Sequence, residues 1–266
     1  MGQIAVNGTT LYYEEKGKGS PILFIHGMCG DARVWADQVK RLSDRFRCIA
    51  HDRRGHTRSP LGEIKERTVQ LHADDAVSLI NALNITPCLL VGSSGGARIA
   101  FDVLRRYPNL VFGAVLSEPP LFTLDMVGGR AFFNQIKPVL DKAMASGSPR
   151  DAVDAFFSIV CPGLWKSLSG EIRDRYRNNH VELFGDLQMP KYEVSLEDLS
   201  RIDRPCLIIR GSESHPALRN VAQILANNIP GARFLEIAGS GHVTYYEKPA
   251  EFASAVASFA GGLKAP

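Results

Sequence analysis

Val91-Gly92-Ser93-Ser94-Gly95-Gly96 lies between an apolar run, Cys88, Leu89, Leu90 and Val91, and a helical pattern over residues 97–107. Gly-x-Ser-x-Gly at a strand-to-helix junction is the pattern of a nucleophile elbow, a turn tight enough to lift its serine clear of the backbone. The glycines follow from that geometry. Strand and helix approach so closely that side chains at 92 and 96 would collide, while Ser94 is held in a strained conformation that exposes its hydroxyl. The helix behind it aims its first amides at the place where negative charge develops in acyl transfer. A dinucleotide-binding loop also joins a strand to a helix, and Glu118 stands at about the 20-residue distance expected of a ribose-binding acid. Glycines at 92, 95 and 96 do not fit G-x-G-x-x-G, however, and strand–helix alternation already precedes this loop, so dinucleotide binding is the weaker reading.

Working outward, 4–6 and 11–14 around Asn7-Gly8 predict a tight hairpin. The continuous apolar run 22–25 predicts a strand covered on both faces. A helix is expected from near Asp31, with Val34, Trp35, Val39 and Leu42 on one side. Then come a strand at 48–50 ending in His51-Asp52-Arg53-Arg54-Gly55-His56, a helix over 69–83, the elbow strand and helix, and a strand at 111–116. From about 121 to 202 the alternation stops, and helices and loops follow, broken at Gly128-Gly129, Ser146-Gly147-Ser148-Pro149 and Cys161-Pro162-Gly163. Alternation resumes with strands at 206–209 and 233–237 and helices at 217–228 and 250–259. The expected fold class is therefore α/β: a mostly parallel sheet with helices on both faces, formed by residues 1–120 and 203–266, with a helical cap at 121–202 over the carboxyl ends of the strands.

Composition bounds the function. The chain has 266 residues, 45% apolar and 22% charged, with a net charge of +3, which suits one large globular domain. Its Lys and Arg are dispersed, so no nucleic-acid partner is expected, and no apolar run reaches the roughly 18 residues that span a bilayer. No secretory signal is visible at the N-terminus. Cysteines 29, 48, 88, 161 and 206 form no CxxC pair and read as small buried hydrophobes, which favours a reducing, cytoplasmic setting. Cys29, in a glycine loop, is assigned to packing. Oligomeric state is left open.

A serine hydroxyl needs an adjacent base. His242, in Gly239-Ser240-Gly241-His242 after the last strand, is the candidate, and histidines 51, 56, 72, 180 and 215 lack comparable placement; His51 and His56 read as structural or surface groups. The chain resembles the α/β-hydrolase-fold serine hydrolases over nearly its whole length. The resemblance rests on His26-Gly27, Asp52-Arg53-Arg54-Gly55-His56, the elbow, and Gly241-His242 followed by Glu247-Lys248-Pro249. It implies the order nucleophile, acid, histidine. Where most of the family carries Gly-x-x-Asp, this chain has Gly211-Ser212-Glu213-Ser214, and a serine cannot hold the charge. Glu118, in Leu116-Ser117-Glu118-Pro119-Pro120, is the preferred acid and Glu213 the alternative. The resemblance further implies that the Met28 and Gly95 amides form the oxyanion hole, that no metal or organic cofactor takes part, and that the substrate is a small ester or lactone. Carbon–carbon bond hydrolysis of ring-cleavage products and slow-turnover ligand reception are the rival functions. Phe122, Phe132, Phe133, Phe156, Phe157, Trp165 and Phe184 are candidate pocket walls, more often lid core at helical spacing.

Overall fold

The computed structural model describes residues 1–189 and 191–263. Its strands and helices follow in the order β1 (Gly2–Val6), β2 (Thr9–Lys16), β3 (Pro21–Ile25), α1 (Ala36–Leu42), β4 (Arg47–His51), α2 (Val69–Ala82), β5 (Cys88–Ser93), α3 (Gly95–Arg106) and β6 (Val111–Ser117). Six helices come next: α4 (Met126–Ala145), α5 (Pro149–Val160), α6 (Pro162–Ser167), α7 (Gly170–Asn178), α8 (His180–Leu187) and α9 (Leu196–Ser200). The chain closes with β7 (Cys206–Gly211), α10 (Pro216–Asn228), β8 (Arg233–Ile237), α11 (Thr244–Glu247) and α12 (Pro249–Gly262).

The eight strands form one sheet in the order β1-β2-β4-β3-β5-β6-β7-β8. Pairs β1/β2 and β2/β4 are antiparallel and the others parallel. At the β1–β2 turn Asn7 and Gly8 both take positive φ, 38° and 68°, which matches the right-handed twist of the flanking strands. The expected helix near Asp31 starts as a 3₁₀ turn, Ala32–Trp35, capped by the Asp31 side chain, before α1 begins.

The apolar runs sort by the two-residue period of a strand. Leu23, Ile25, Cys88, Leu90, Ala114, Leu116, Cys206 and Ile208 pack on one face with residues of α2, α3 and α10. Ile22, Phe24, Leu89, Val91, Val115, Leu207 and Ile209 pack on the other with α1 and α12. Both faces being covered explains why these strands read as unbroken apolar runs. The helices of 121–202 carry a third cluster, including Phe156, Phe157, Trp165 and Leu183, which also takes in Cys29, Ala217 and Leu218 of the sheet-bearing part. All five cysteines are free and buried, and among the described residues no helix is long and apolar enough to cross a membrane.

The Asp52-Arg53-Arg54-Gly55-His56 stretch after β4 is a polar anchor inside this frame. Asp52 accepts from the Ala32 amide at 2.8 Å and from Arg58 Nε at 2.7 Å. Arg54, fully buried, forks onto both oxygens of Asp75 in α2 at 2.7 and 2.8 Å. Arg53 pairs with Asp186 of α8 at 2.7 Å, tying the helical insert to the sheet. Of the two readings open for His51 and His56, surface and structural, burial selects the structural one. His56 Nδ1 donates to the Arg54 carbonyl and Nε2 accepts from Arg53, a pattern that a neutral ring satisfies. Burial, with Arg53 adding to it, pushes its pKa down to about 4.

Candidate active site

The turn after β5 is as close as its glycines require. A Cβ on Gly92 would lie 2.5 Å from the Gly96 carbonyl oxygen, and one on Gly96 would lie 2.1 Å from that of Ile25. Ser94 sits at φ 54°, ψ −124°, in the positive-φ region that a non-glycine residue occupies at a cost of about 1–3 kcal/mol. It is the N-cap of α3, which starts at Gly95, two residues earlier than the sequence pattern suggests. Its amide donates to the Ser117 carbonyl at 2.9 Å, which locks the turn to the end of β6.

Register places the acid one strand away. Ser93 pairs with Ser117, and Ser117 with Ile209, so Ser94 and Glu118 each follow the last paired residue of adjacent strands. Glu118 is fully buried and, like Ser94, adopts positive φ, 46°. Its carboxylate is held from three sides. Oε1 accepts from the Gly211 amide at 2.8 Å; Oε2 accepts from Ser214 Oγ at 2.5 Å and faces His242 Nδ1 at 2.6 Å. Ser214, the residue where a family aspartate would stand, thus binds the carboxylate found instead one strand over. Glu213 is exposed, its backbone amide bound to the Ser240 carbonyl, and it makes no hydrogen bond to His242 among the described residues. The alternative acid of the sequence reading is therefore not the group that meets the imidazole, because its side chain leaves the sheet on the solvent side.

His242 is 5% exposed, and its loop is pinned by Glu247, which accepts from the Gly241 amide at 2.6 Å. Ser117 and Thr244, flanking the same site, share a hydrogen bond of 3.0 Å. Ser94 and His242 line one cavity of about 270 Å³. No hydrogen bond joins Ser94 Oγ to the imidazole among the described residues, a contact that in ligand-free hydrolases is often long until substrate binds. The loop after β3 completes the site: a Cβ on Gly95 would be 3.8 Å from the Met28 amide nitrogen. The Gly95 amide opens α3 and has no intrahelical acceptor, and the Met28 amide nitrogen lies close to it. A further cavity of about 330 Å³, lined by Asp31, Arg33, Arg175 and Tyr246 among others, includes neither Ser94 nor His242.

Of the candidate wall aromatics, Phe122, Phe132, Phe133 and Phe156 line the Ser94 cavity. Phe157 and Trp165 stack at 4.8 Å inside the insert, and Phe184 packs against the same cluster. Polar wall residues that carry no sequence motif include Arg98 and Asp186. The signal for Arg98 was its place four residues after Ser94, one turn along the same helix face. Asp186 had none, because only the docking of α8 brings it in.

Sequence and structure comparisons agree with this architecture. Residues 22–255 match the alpha/beta hydrolase family, and the chain belongs to it. An uncharacterized hydrolase of Bacillus subtilis, YraK, is 36% identical over 124 residues, a match covering 46% of each protein. The non-heme chloroperoxidase CPO-A1 of Kitasatospora aureofaciens is 27% identical, with 89% of this chain and 90% of that one aligned. Among solved structures, Est816, described as an N-acyl homoserine lactone degrading enzyme, superposes with a TM-score of 0.75 at 25% identity, over 97% of this chain and 100% of that one.

Proposed function

We propose that the chain is a serine hydrolase of small carboxylic esters or lactones, with Ser94 as nucleophile, His242 as general base and acid, Glu118 as the orienting carboxylate, and residues 121–202 as a cap over the site. The observation that carries the reading is the 2.6 Å contact of Glu118 Oε2 with His242 Nδ1, at the wall of the cavity that Ser94 also lines. A carboxylate on Nδ1 fixes the tautomer that leaves Nε2 free to accept a proton.

In this mechanism Ser94 Oγ attacks the carbonyl carbon while its proton passes to His242 Nε2. The oxygen that gains the negative charge is met by the Met28 and Gly95 amides, main-chain donors that need no rearrangement as charge builds. The carbon–oxygen bond to the leaving group breaks, and His242 returns its proton to that oxygen. Water then attacks the acyl-enzyme, gives a proton to the same nitrogen, and releases the acid as Ser94 is reprotonated. For a lactone the leaving oxygen stays tethered to the acyl group and departs only in this second half. The lactone-degrading likeness of Est816 supports including cyclic esters.

The test is a substrate panel of chromogenic esters, N-acyl homoserine lactones and ring-fission diketones, with a peroxide-plus-halide assay alongside, run on wild type and Ser94→Ala. Ester or lactone turnover that disappears in the variant upholds the reading. Turnover confined to ring-fission products, or halide oxidation alone, would replace it, as would tight ligand binding with turnover far below about 1 per second on every ester.

A further inference from the structure

Arg98 lies one turn beyond Ser94 on α3, its amide bonded to the Ser94 carbonyl at 3.1 Å, and its side chain lines the cavity that Ser94 and His242 share. It is a half-buried cation that pairs with no carboxylate among the described residues. Among the described residues Nη2 donates to the thioether sulfur of Met189, at 3.3 Å, a weak acceptor. Nε is buried with no partner among the described residues.

Asp186 is the carboxylate whose charge acts on Arg98, yet its Oδ2 is bound to Arg53 at 2.7 Å. His56 and His72, close by, are held neutral by burial, their pKa values pushed well down. Arg53 and Asp186 cancel, and Arg98 remains. Lys191 at the mouth is exposed and bound to Glu193 at 2.9 Å, so it does not supply the site's positive charge. A guanidinium partly withdrawn from water in this way is costly, and desolvation accordingly lowers its pKa. A carboxylate satisfies it best, through two parallel hydrogen bonds.

We propose that this cavity selects substrates carrying a free carboxylate, bound by Arg98, and that the physiological ester is the monoester of a short dicarboxylic acid. The proposal rests on the serine hydrolase reading above. Arg98 and Ser94 stand one helical turn apart, about 6 Å along the axis, and line one cavity, so the proposed acid group is joined to the attacked carbonyl by a short chain. Phe122, Phe132 and Phe156 cover the methylenes between them. The second oxygen of Asp186 is buried in the same wall with no partner among the described residues; it accepts a hydroxyl or a water there and keeps a bound carboxylate on the Arg98 side.

Monomethyl glutarate and methyl pentanoate have the same chain length and differ by one charge. Their kcat/KM values, measured for wild type, Arg98→Met and Arg98→Lys, read the selection directly. Wild type favours the acid ester, and Arg98→Met lowers the acid-to-neutral ratio by about 100-fold, mainly through KM, with Arg98→Lys intermediate. Equal loss on both esters, or no preference in wild type, overturns the anion site while leaving the hydrolase reading intact. Should neither ester turn over, calorimetry of glutarate with Ser94→Ala protein decides: binding that vanishes in Ser94→Ala/Arg98→Met upholds the site, and no binding in either protein overturns it.

Discussion

Ser214 Oγ donates to Glu118 Oε2 at 2.5 Å, across the gap between the ends of β6 and β7. At the position where the resemblance placed an acid, this chain has a hydrogen-bond donor to an acid on the neighbouring strand. Two local features hold that acid in reach of His242: the positive φ of Glu118 and the amide of Gly211 on its other oxygen. The arrangement makes the location of the acid testable by exchange. Glu118→Ala should lower kcat by about 10⁴-fold and Glu213→Ala by less than about threefold. Because the 214 side chain already touches the carboxylate's place, Glu118→Ala/Ser214→Asp should recover at least about tenfold over Glu118→Ala. Steady-state rates on one ester check all three, and an equal loss in Glu213→Ala would return the acid to the later strand.

The turn itself predicts a stability effect. A Cβ at Gly96 meets two backbone oxygens, those of Ile25 at 2.1 Å and His26 at 2.6 Å, and backbone cannot swing aside as a side chain would. Gly96→Ala should cost about 3 kcal/mol or more, a fall in Tm on the order of 10 °C. Thermal unfolding followed by circular dichroism checks it, and an unchanged Tm would contradict the close approach.

Much of this was legible in the residues, for reasons that differ by element. The strands at 22–25 and 88–91 announce themselves because both their faces are covered, and the elbow because few other turns need glycines at those positions. Glu118 could be suggested only by what is missing at 214; its contact with His242 depends on β6 and β7 being neighbours, which no local pattern encodes. Ser214 therefore read as a lost acid rather than as a donor to one. Asp186 and Arg98 belong to no motif that would set them apart from other helical charges. Their meeting at one wall follows from how α8 docks on the sheet, which brings together residues 88 positions apart in the chain. Among the aromatics, helical spacing could not separate Phe156, which lines the larger cavity, from Phe157, which stacks on Trp165 and borders only a smaller space beside Ser94 and His242.

Buried neutral histidines set the acid limit of stability. Burial lowers the pKa values of His51 and His56 to about 4, and moves His26 and His72 in the same direction. Such groups bind more protons unfolded than folded between about pH 4 and 6.5. Stability is therefore full above the unfolded value of 6.5, declines as pH falls through that window, and levels off for His51 and His56 below their folded values. His51 and His56 each contribute on the order of 3 kcal/mol to this loss. Urea midpoints measured from pH 7.5 to 4.5 should hold level to about pH 6.5 and then fall. Constant midpoints would mean that these rings are charged or exposed.

Arg54 and Asp75 form a buried ion pair remote from Ser94. Removing one partner leaves an uncompensated charge, so Asp75→Ala should destabilise by about 3–5 kcal/mol. At temperatures where the protein stays folded, kcat should change by less than about twofold. A variant with unaltered Tm would show that Arg54 finds compensation in its other acceptors, the carbonyls of Asn7 and Leu61.

The central claim is that Ser94 is the nucleophile of a proton relay through His242 and Glu118. Its most direct measurement is peptide mass spectrometry after treatment with a fluorophosphonate ester. The account predicts one adduct per chain, on the peptide containing Ser94, formed at least about 10³-fold more slowly in His242→Ala and absent in Ser94→Ala. An adduct on another residue, or full labelling of Ser94→Ala, would contradict it.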